Sequence, residues 1–298
     1  MIDTVPEQKQ TVWTNPPPLP GLRGARVYYG PEFCETLLPT PKALLEAYRS
    51  RARTFAAFTF VTPPVGEDGL AKLQVLLGLL AQQDQPVEVV VNDWGVLRLV
   101  AAMRDRCQPV LGRLMNKMLR DPRITPRIAG ESLLAEAVLA SQQSALTSQL
   151  FSGLLRSHGI ATVELDNLYQ GIDMDFDGLG LRPSLHVPFG FVASGPACFQ
   201  AGMHQPKTKK FSNDTPCRLE CQTYIGQMTD SAAPGRQAPL LTQGNTVFYR
   251  QDAALVERGL AWAQAHGARV VLHQTPFGEG YATENIDLAR SWVEAQHG

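Results

Sequence analysis

The sequence predicts an α/β fold arranged as a TIM-type barrel, complete or distorted. Three observations lead there. Six to eight short apolar runs alternate with segments of helical spacing, the pattern of βαβ units around a parallel sheet. The run FAAFTFV has the continuous apolar character of a strand covered on both faces, and VEVVV reads as another strand of buried type. Polar and thiol side chains then follow those runs at Cys34, Asp93, Arg113, Glu164 and Cys198. Barrel proteins carry their functional residues at such strand ends.

Taken in order, residues 1–24 contain TVWT and NPPPLPGLRG. Consecutive prolines fit neither helix nor central strand, so this stretch reads as an extended arm, with 11–14 as a candidate lone strand. Residues 25–298 read as a single barrel-like domain. ARVYYG is its first strand, TPKALLEAYRSRA a helix, and FAAFTFVTPP the second strand. GEDGLAKLQVLLGLLAQQ has helical apolar spacing, VEVVVND is a strand, GVLRLVAAMRDR a helix and PVLGRLMN a short strand. KMLRDPRITPR is a basic loop, after which residues 130–159 read as one long helix closed by Gly159. IATVELDN is the next strand, and LHVPFGFVAS runs as one piece into Cys198. TVFYR, AALVERGLAWAQAHG, ARVVLHQTP and NIDLARSWVEAQ complete the chain as strand, helix, strand and helix.

The composition narrows the function classes. A chain of 298 residues, 44% apolar and 18% charged, can bury a full core. Its net charge of −1 provides no global basic field to hold nucleic acid. No apolar run is long enough to span a membrane, and MIDTVPEQKQ lacks the layout of a signal peptide. The cytoplasm is therefore the expected location, where five cysteines point to thiols or metal ligands in preference to disulfides.

Three of those five cysteines fall within residues 198–221: Cys198 alone, then Cys217 and Cys221 as a C-x3-C pair. With Cys34 they supply four thiolates, the number that a tetrahedral zinc or a cubane iron–sulfur cluster requires. Zinc sites are usually built from two short-spaced pairs, and only one is present, so zinc is the second choice. A four-iron, four-sulfur cluster accepts ligands scattered along the chain if the fold gathers them. Cys107 has no short-spaced partner and reads as a structural thiol.

YYGPEFC at the first strand, with SGPACF followed by a loop and C-x3-C, resembles the collagenase-like (U-thirty-two) peptidase family. The likeness is to its UbiV-type branch, accessory subunits of oxygen-independent ubiquinone biosynthesis. VNDWGVLRL, PVLGRLMNKM, ATVELDN and ARVVLHQTP extend it over most of the chain from about residue 25. The resemblance implies a four-iron, four-sulfur cluster on Cys34, Cys198, Cys217 and Cys221. It also implies a barrel fold, a part in oxygen-independent hydroxylation of a small aromatic substrate, and a heterodimer with a UbiU-like subunit. Two departures stand out. The proline-rich arm replaces an opening helix of the family, and HVPFGFVASGPAC lacks the extra cysteine and the arginine of the RNA-hydroxylating branch.

Other polar groups are candidates for the chemistry. Arg113, Asn116, Lys117 and Arg120 read either as a surface basic run or as a clamp for a carboxylate substrate. Hydroxylating relatives are linked to prephenate, a dicarboxylate that would suit the clamp. Glu164 and Asp166 are general-base or orienting candidates, with Asp93 and Asn92 at the same mouth and Trp94 in the core. His186, His204 and His273 lack the spacing of a metal or base site, and His186 reads as a core or solvated residue. Lys207, Lys209 and Lys210 read as a solvated loop. No G-x-S-x-G or H-E-x-x-H segment supports a hydrolase. A non-catalytic binding partner with a structural metal is the alternative to a hydroxylase subunit.

Overall fold

The computed structural model describes residues 2–6, 26–51, 57–122, 135–213, 215–228, 240–273 and 291. Its first strand, β1 (Ile2–Pro6), precedes the barrel-forming units. These begin with β2 (Arg26–Tyr29), α1 (Pro41–Arg51), β3 (Ala57–Val61), α2 (Glu67–Ala81), β4 (Val87–Val91), α3 (Trp94–Ala101) and β5 (Cys107–Leu111). They continue through α4 (Ala135–Gln142), α5 (Gln149–Ser157), β6 (Thr162–Asp166), α6 (Phe176–Leu179) and β7 (Arg182–Val187). The chain then leaves for β8 (Phe189–Ser194), α7 (Phe199–Gly202), β9 (Tyr224–Met228), β10 (Leu240–Gln243) and β11 (Thr246–Arg250). It returns with α8 (Ala253–Ala265) and β12 (Arg269–Leu272).

Seven strands, β2, β3, β4, β5, β6, β7 and β12, form one parallel sheet in sequence order. A doubly wound sheet would reverse its order at a switch point, and this one does not. The sheet curls instead. Tyr28 from β2, Glu88 from β4, Glu164 from β6 and Arg269 from β12 all meet in its concavity. Among the described residues β2 and β12 share no ladder, so the architecture is a half-barrel of TIM-like order. Every residue of β4 is buried, Glu88 included, as its reading as a buried-type strand predicts. Leu73, Leu76, Leu77 and Leu80 of α2 pack the outer face at helical spacing. Among the described residues no helix is long and apolar enough to cross a membrane.

Four sequence readings change. The stretch LHVPFGFVAS is two strands, and β7 and β8 belong to different sheets on either side of Pro188. The predicted helix 130–159 is broken because Ser144 and Ser148 cap new turns, each side chain accepting a backbone N–H, from Leu146 and Phe151 respectively. The predicted helix GVLRLVAAMRDR ends at Ala101, and Cys107 opens β5, fully buried, as a structural thiol should be. Lastly, residues 2–6 of the arm pair with β9, from Ile2↔Met228 to Pro6↔Tyr224. The candidate strand at 11–14 and the last predicted helix lie outside the described residues.

The second sheet is antiparallel, in the order β1, β9, β10, β11, β8. It carries its own small core of Phe189, Phe191, Ile225, Leu241 and Phe248, against which Phe33 and Leu114 from the half-barrel pack. Those two residues join the sheet to the C-terminal ends of β2 and β5.

Candidate functional site

Cys34 lies in the loop after β2, and four separate constraints place it. Gly30 turns the chain at φ +126°. Glu32 is gripped by Arg113 through Nε (2.8 Å) and Nη2 (2.5 Å). The Phe33 ring packs 5.3 Å from Phe191 and 5.4 Å from Phe248, centroid to centroid. The Phe33 carbonyl accepts from the Asn245 side chain at 2.8 Å. The same amide nitrogen donates to the Gly195 carbonyl at 2.7 Å, three residues before Cys198. One side chain thus ties together the backbone beside the first two cysteines.

Asn245 belongs to a two-residue hairpin turn between β10 and β11, with Gly244 at φ +62° in front of it. That hairpin tip reaches the remaining cysteines as well. The Gly244 carbonyl accepts from Phe199 N, next to Cys198, at 2.8 Å. Gln243 donates to the Cys221 carbonyl at 3.2 Å, and a Cβ added at Gly244 would lie 3.9 Å from Cys221 Sγ. Cys198 caps α7, its sulfur accepting from Ala201 N at 3.4 Å. Cys217 Sγ accepts from Leu219 N at 3.4 Å. Leu219 adopts φ +62°, which side chains other than glycine rarely take, and this brings the C-x3-C segment round on itself.

The four thiols are electrostatic neighbours. Cys221 is pushed up to about 12, by burial first and then by Cys198, Cys34 and Cys217. Cys198 is raised by burial, with Cys217 and Cys34 adding to it against the backbone donors Ala201 and Gln200. All four are free thiols, from buried Cys221 to exposed Cys217. Yet among the described residues no group of three or more His, Cys, Asp or Glu side chains has the arrangement to hold a metal ion. Two backbone N–H groups donate to the sulfurs of Cys198 and Cys217.

Replacing Asn245 with alanine removes both carbonyl contacts of the clamp. Both hydrogen bonds are part-buried, so losing them should cost about 1–3 kcal/mol in all. Urea unfolding should show that loss, and titration of folded protein with Ellman's reagent should show faster reaction of Cys34 than in the wild type.

The charged groups expected at the mouth are largely satisfied by one another. Arg113 is fully buried, with Asp166 at 2.6 Å on Nη1 in addition to Glu32. Asp166 also accepts from Arg120 Nε at 2.6 Å and from Phe191 N at 3.3 Å. Arg113 lies 5.5 Å from the Phe191 ring centroid and Arg120 4.5 Å from it, so the aromatic face covers both guanidinium groups. The surface-run reading of these arginines is thereby corrected. Burial alone would raise the Asp166 carboxyl, but Arg113 and Arg120 outweigh it and hold the group below the usual carboxylate range. Held by two guanidinium groups and a backbone N–H, this carboxylate orients its neighbours.

Asp93 is the N-cap of α3, accepting from Gly95 N (2.7 Å) and Val96 N (3.2 Å). Asn116 is buried, and among the described residues its amide oxygen and nitrogen have no hydrogen-bond partner. Lys117 borders a cleft of about 480 Å³ together with Asn92, Asp93, Trp94, Leu114 and Phe151, its Nζ donating to the Leu114 carbonyl at 2.9 Å. Trp94 is 51% exposed there and stands edge-on to Phe151 at 6.2 Å, which overturns its assignment to the core. Leu114 forms a wall of this cleft and also packs in the Phe33 cluster, so cleft and cysteine loop share a partition.

Glu164 lies inside β6, not at its end, and Cys198 follows a strand of the antiparallel sheet, not of the half-barrel. Glu164 Oε1 accepts from Tyr28 OH at 3.1 Å, and its Oε2 contacts His186 Nε2. His186 Nδ1 is 2.7 Å from His273 Nε2. Sequence reasoning missed both histidines and Asn245. The Gly-Asn pair between LLTQ and TVFYR is a hairpin signal that could have located Asn245.

Comparison of the chain with protein-family models, with curated proteins and with solved structures finds no match.

Proposed function

We propose that this chain is an iron–sulfur protein of the UbiV type, with Cys34, Cys198, Cys217 and Cys221 as ligands of a four-iron, four-sulfur cluster. In this reading it serves an oxygen-independent hydroxylation of a small aromatic substrate, paired with a UbiU-like subunit. One observation carries the proposal. A single hairpin tip, Gln243 to Asn245, contacts the backbone beside Cys34, Cys198 and Cys221, and so gathers thiols from distant parts of the chain. A bound cluster would supply one-electron chemistry at this place.

The chain's own residues have the supporting roles. Arg113 and Asp166 fix Glu32 and with it the Cys34 loop. The cleft beside Leu114 is the proposed substrate seat. Trp94 and Phe151 offer aromatic contact there, and Lys117 offers a cation for an acidic group.

Anaerobic purification followed by iron, sulfide and zinc analysis and an absorbance spectrum tests the assignment. About four irons per chain with a broad visible band, lost in Cys217→Ala, is the expected result. One tightly held zinc would mark a structural site and favour the non-catalytic reading. Colourless, metal-free protein after anaerobic reconstitution would remove the proposal.

A further inference from the structure

The concave side of the half-barrel holds a line of hydrogen-bonding groups that no step of the proposed function uses. It starts at Arg269, whose Nη1 donates to Tyr28 OH at 2.8 Å and to Glu88 Oε2 at 2.7 Å. It continues from Tyr28 OH to Glu164 Oε1 at 3.1 Å. From Glu164 Oε2 it passes to His186 Nε2, and from His186 Nδ1 to His273 Nε2 at 2.7 Å. His273 follows β12 directly, at the end of the sheet where barrel proteins carry their chemistry.

The direction of each bond follows from the chemistry of the groups. A guanidinium only donates, so Tyr28 oxygen accepts from Arg269, and the single phenolic proton is directed to Glu164. A carboxylate only accepts, so His186 carries its proton on Nε2. With that single proton on His186, its Nδ1 presents a lone pair, which accepts the Nε2 proton of His273. That leaves His273 Nδ1 as an unprotonated nitrogen, and among the described residues it has no hydrogen-bond partner. The His273 amide donates to the Val187 carbonyl at 2.9 Å, which fixes the backbone from which the ring projects.

We propose that His273 is a general base, held in the Nε2–H tautomer by His186 and Glu164, that takes a proton from a hydroxyl of a molecule in the half-barrel mouth. In that step the O–H bond breaks, a bond forms between the proton and Nδ1, and the electron pair stays on oxygen as an alkoxide or phenoxide. No electrons leave or enter, and no cluster is involved, so the inference stands apart from the iron–sulfur reading. The resulting imidazolium is stabilised through His186 by the Glu164 carboxylate, which His186 also keeps from reaching solvent.

The surrounding charges agree with this arrangement. His273 is held well below the ordinary imidazole range, by burial first, with the Arg113 cation adding to it, so the free nitrogen stays unprotonated. Arg113 is itself neutralised by Glu32 and Asp166, with Arg120 also on Asp166, while Arg269 and Arg26 face Glu88 at the other end. Glu164 is therefore the anion directly bonded to the histidine pair.

Two measurements on the full chain test the proposal. Long-range proton–nitrogen NMR should find both His186 and His273 neutral and protonated on Nε2. A proton on His273 Nδ1, or a doubly protonated His186, would reverse the His–His bond and overturn it. Carbethoxylation with diethyl pyrocarbonate, read by mass spectrometry at each histidine, tests access and protonation together. Between pH 7.5 and 5.5 added model peptides that each contain one histidine should slow about tenfold, as imidazoles of ordinary pKa near 6.5 do. His273 should hold its rate within about twofold. An unreactive His273, or one that slows with the others, would overturn the assignment. In Glu164→Gln, with folding verified by circular dichroism, the tautomer preference at His186 and His273 should weaken. Unchanged tautomers in that variant would show that Glu164 does not position the pair.

Discussion

Arg113→Met should unfold about 3–5 kcal/mol more easily than the wild type, the range for removing one partner of a buried ion pair. The arginine is fully buried between Glu32 and Asp166 at 2.5 and 2.6 Å, and methionine fills much of its volume while leaving two carboxylates without their cation. Asp166 would keep Arg120, whereas Glu32 has no other ion-pair partner among the described residues. The loss should therefore reach the Cys34 loop. Urea unfolding measures the first effect. Reconstitution with iron and sulfide measures the second, and the variant should take up less of both. The triple variant Arg113→Met, Asp166→Asn, Glu32→Gln should recover a large part of the stability, because the cost lies in the stranded charges.

The same network predicts the acid limb of stability. The folded Asp166 carboxyl lies below its unfolded value of about 3.9. A group depressed in the folded state stabilises fully above the unfolded value, and the contribution is lost as pH falls through the folded one. Wild-type stability should thus fall below about pH 4, and Arg113→Met should fall less steeply there. An equally steep acid limb in both proteins would show that the network does not control it.

What the sequence revealed depended on how local the signal was. β4 and α2 were legible because a valine-rich run and helical leucine spacing are properties of short windows. The sequence order of the parallel strands followed from the alternation of strand and helix. The antiparallel sheet was not legible, since β8 pairs with β11 more than fifty residues later, at Thr246↔Ser194, and β1 with β9 across most of the chain. The break at Ser144 and Ser148 was legible in principle: each is a cap residue ahead of a new turn. Continuous helical spacing concealed it. Among site residues, the four cysteines were marked by their count and spacing. Glu164, His186 and His273 come from three strands or strand ends separated by 22 and 87 residues, so no window contains them together. Arg113 was picked out for its strand-end position, but only the fold could show that its carboxylates are Glu32 and Asp166.

Gly30→Ala should be the most damaging single-methyl change near the cysteines. Gly30 takes φ +126°, a conformation essentially reserved for glycine, and a Cβ there would lie 2.2 Å from the Val61 carbonyl oxygen. That oxygen is backbone at the end of a central strand, so relief requires β2 and β3 to part or the 30–34 loop to rise. Strain at such a position costs about 1–3 kcal/mol before any clash is counted, so a total of about 3 kcal/mol or more is expected. Gly78→Ala supplies the control. It lies in α2 with nothing within 4 Å of an added Cβ, and should stabilise by up to about 1 kcal/mol. The two variants add the same atom and differ only in where it goes. If Gly30 acts through the loop it turns, Gly30→Ala should lower iron uptake and expose Cys34 to thiol reagent at urea concentrations where the protein is still folded. Gly78→Ala should match wild type in both. Loss of stability in Gly30→Ala with unchanged iron uptake and Cys34 reactivity would mean that the turn supports the sheet alone, and that Glu32, Phe33 and Asn245 suffice to place the cysteine.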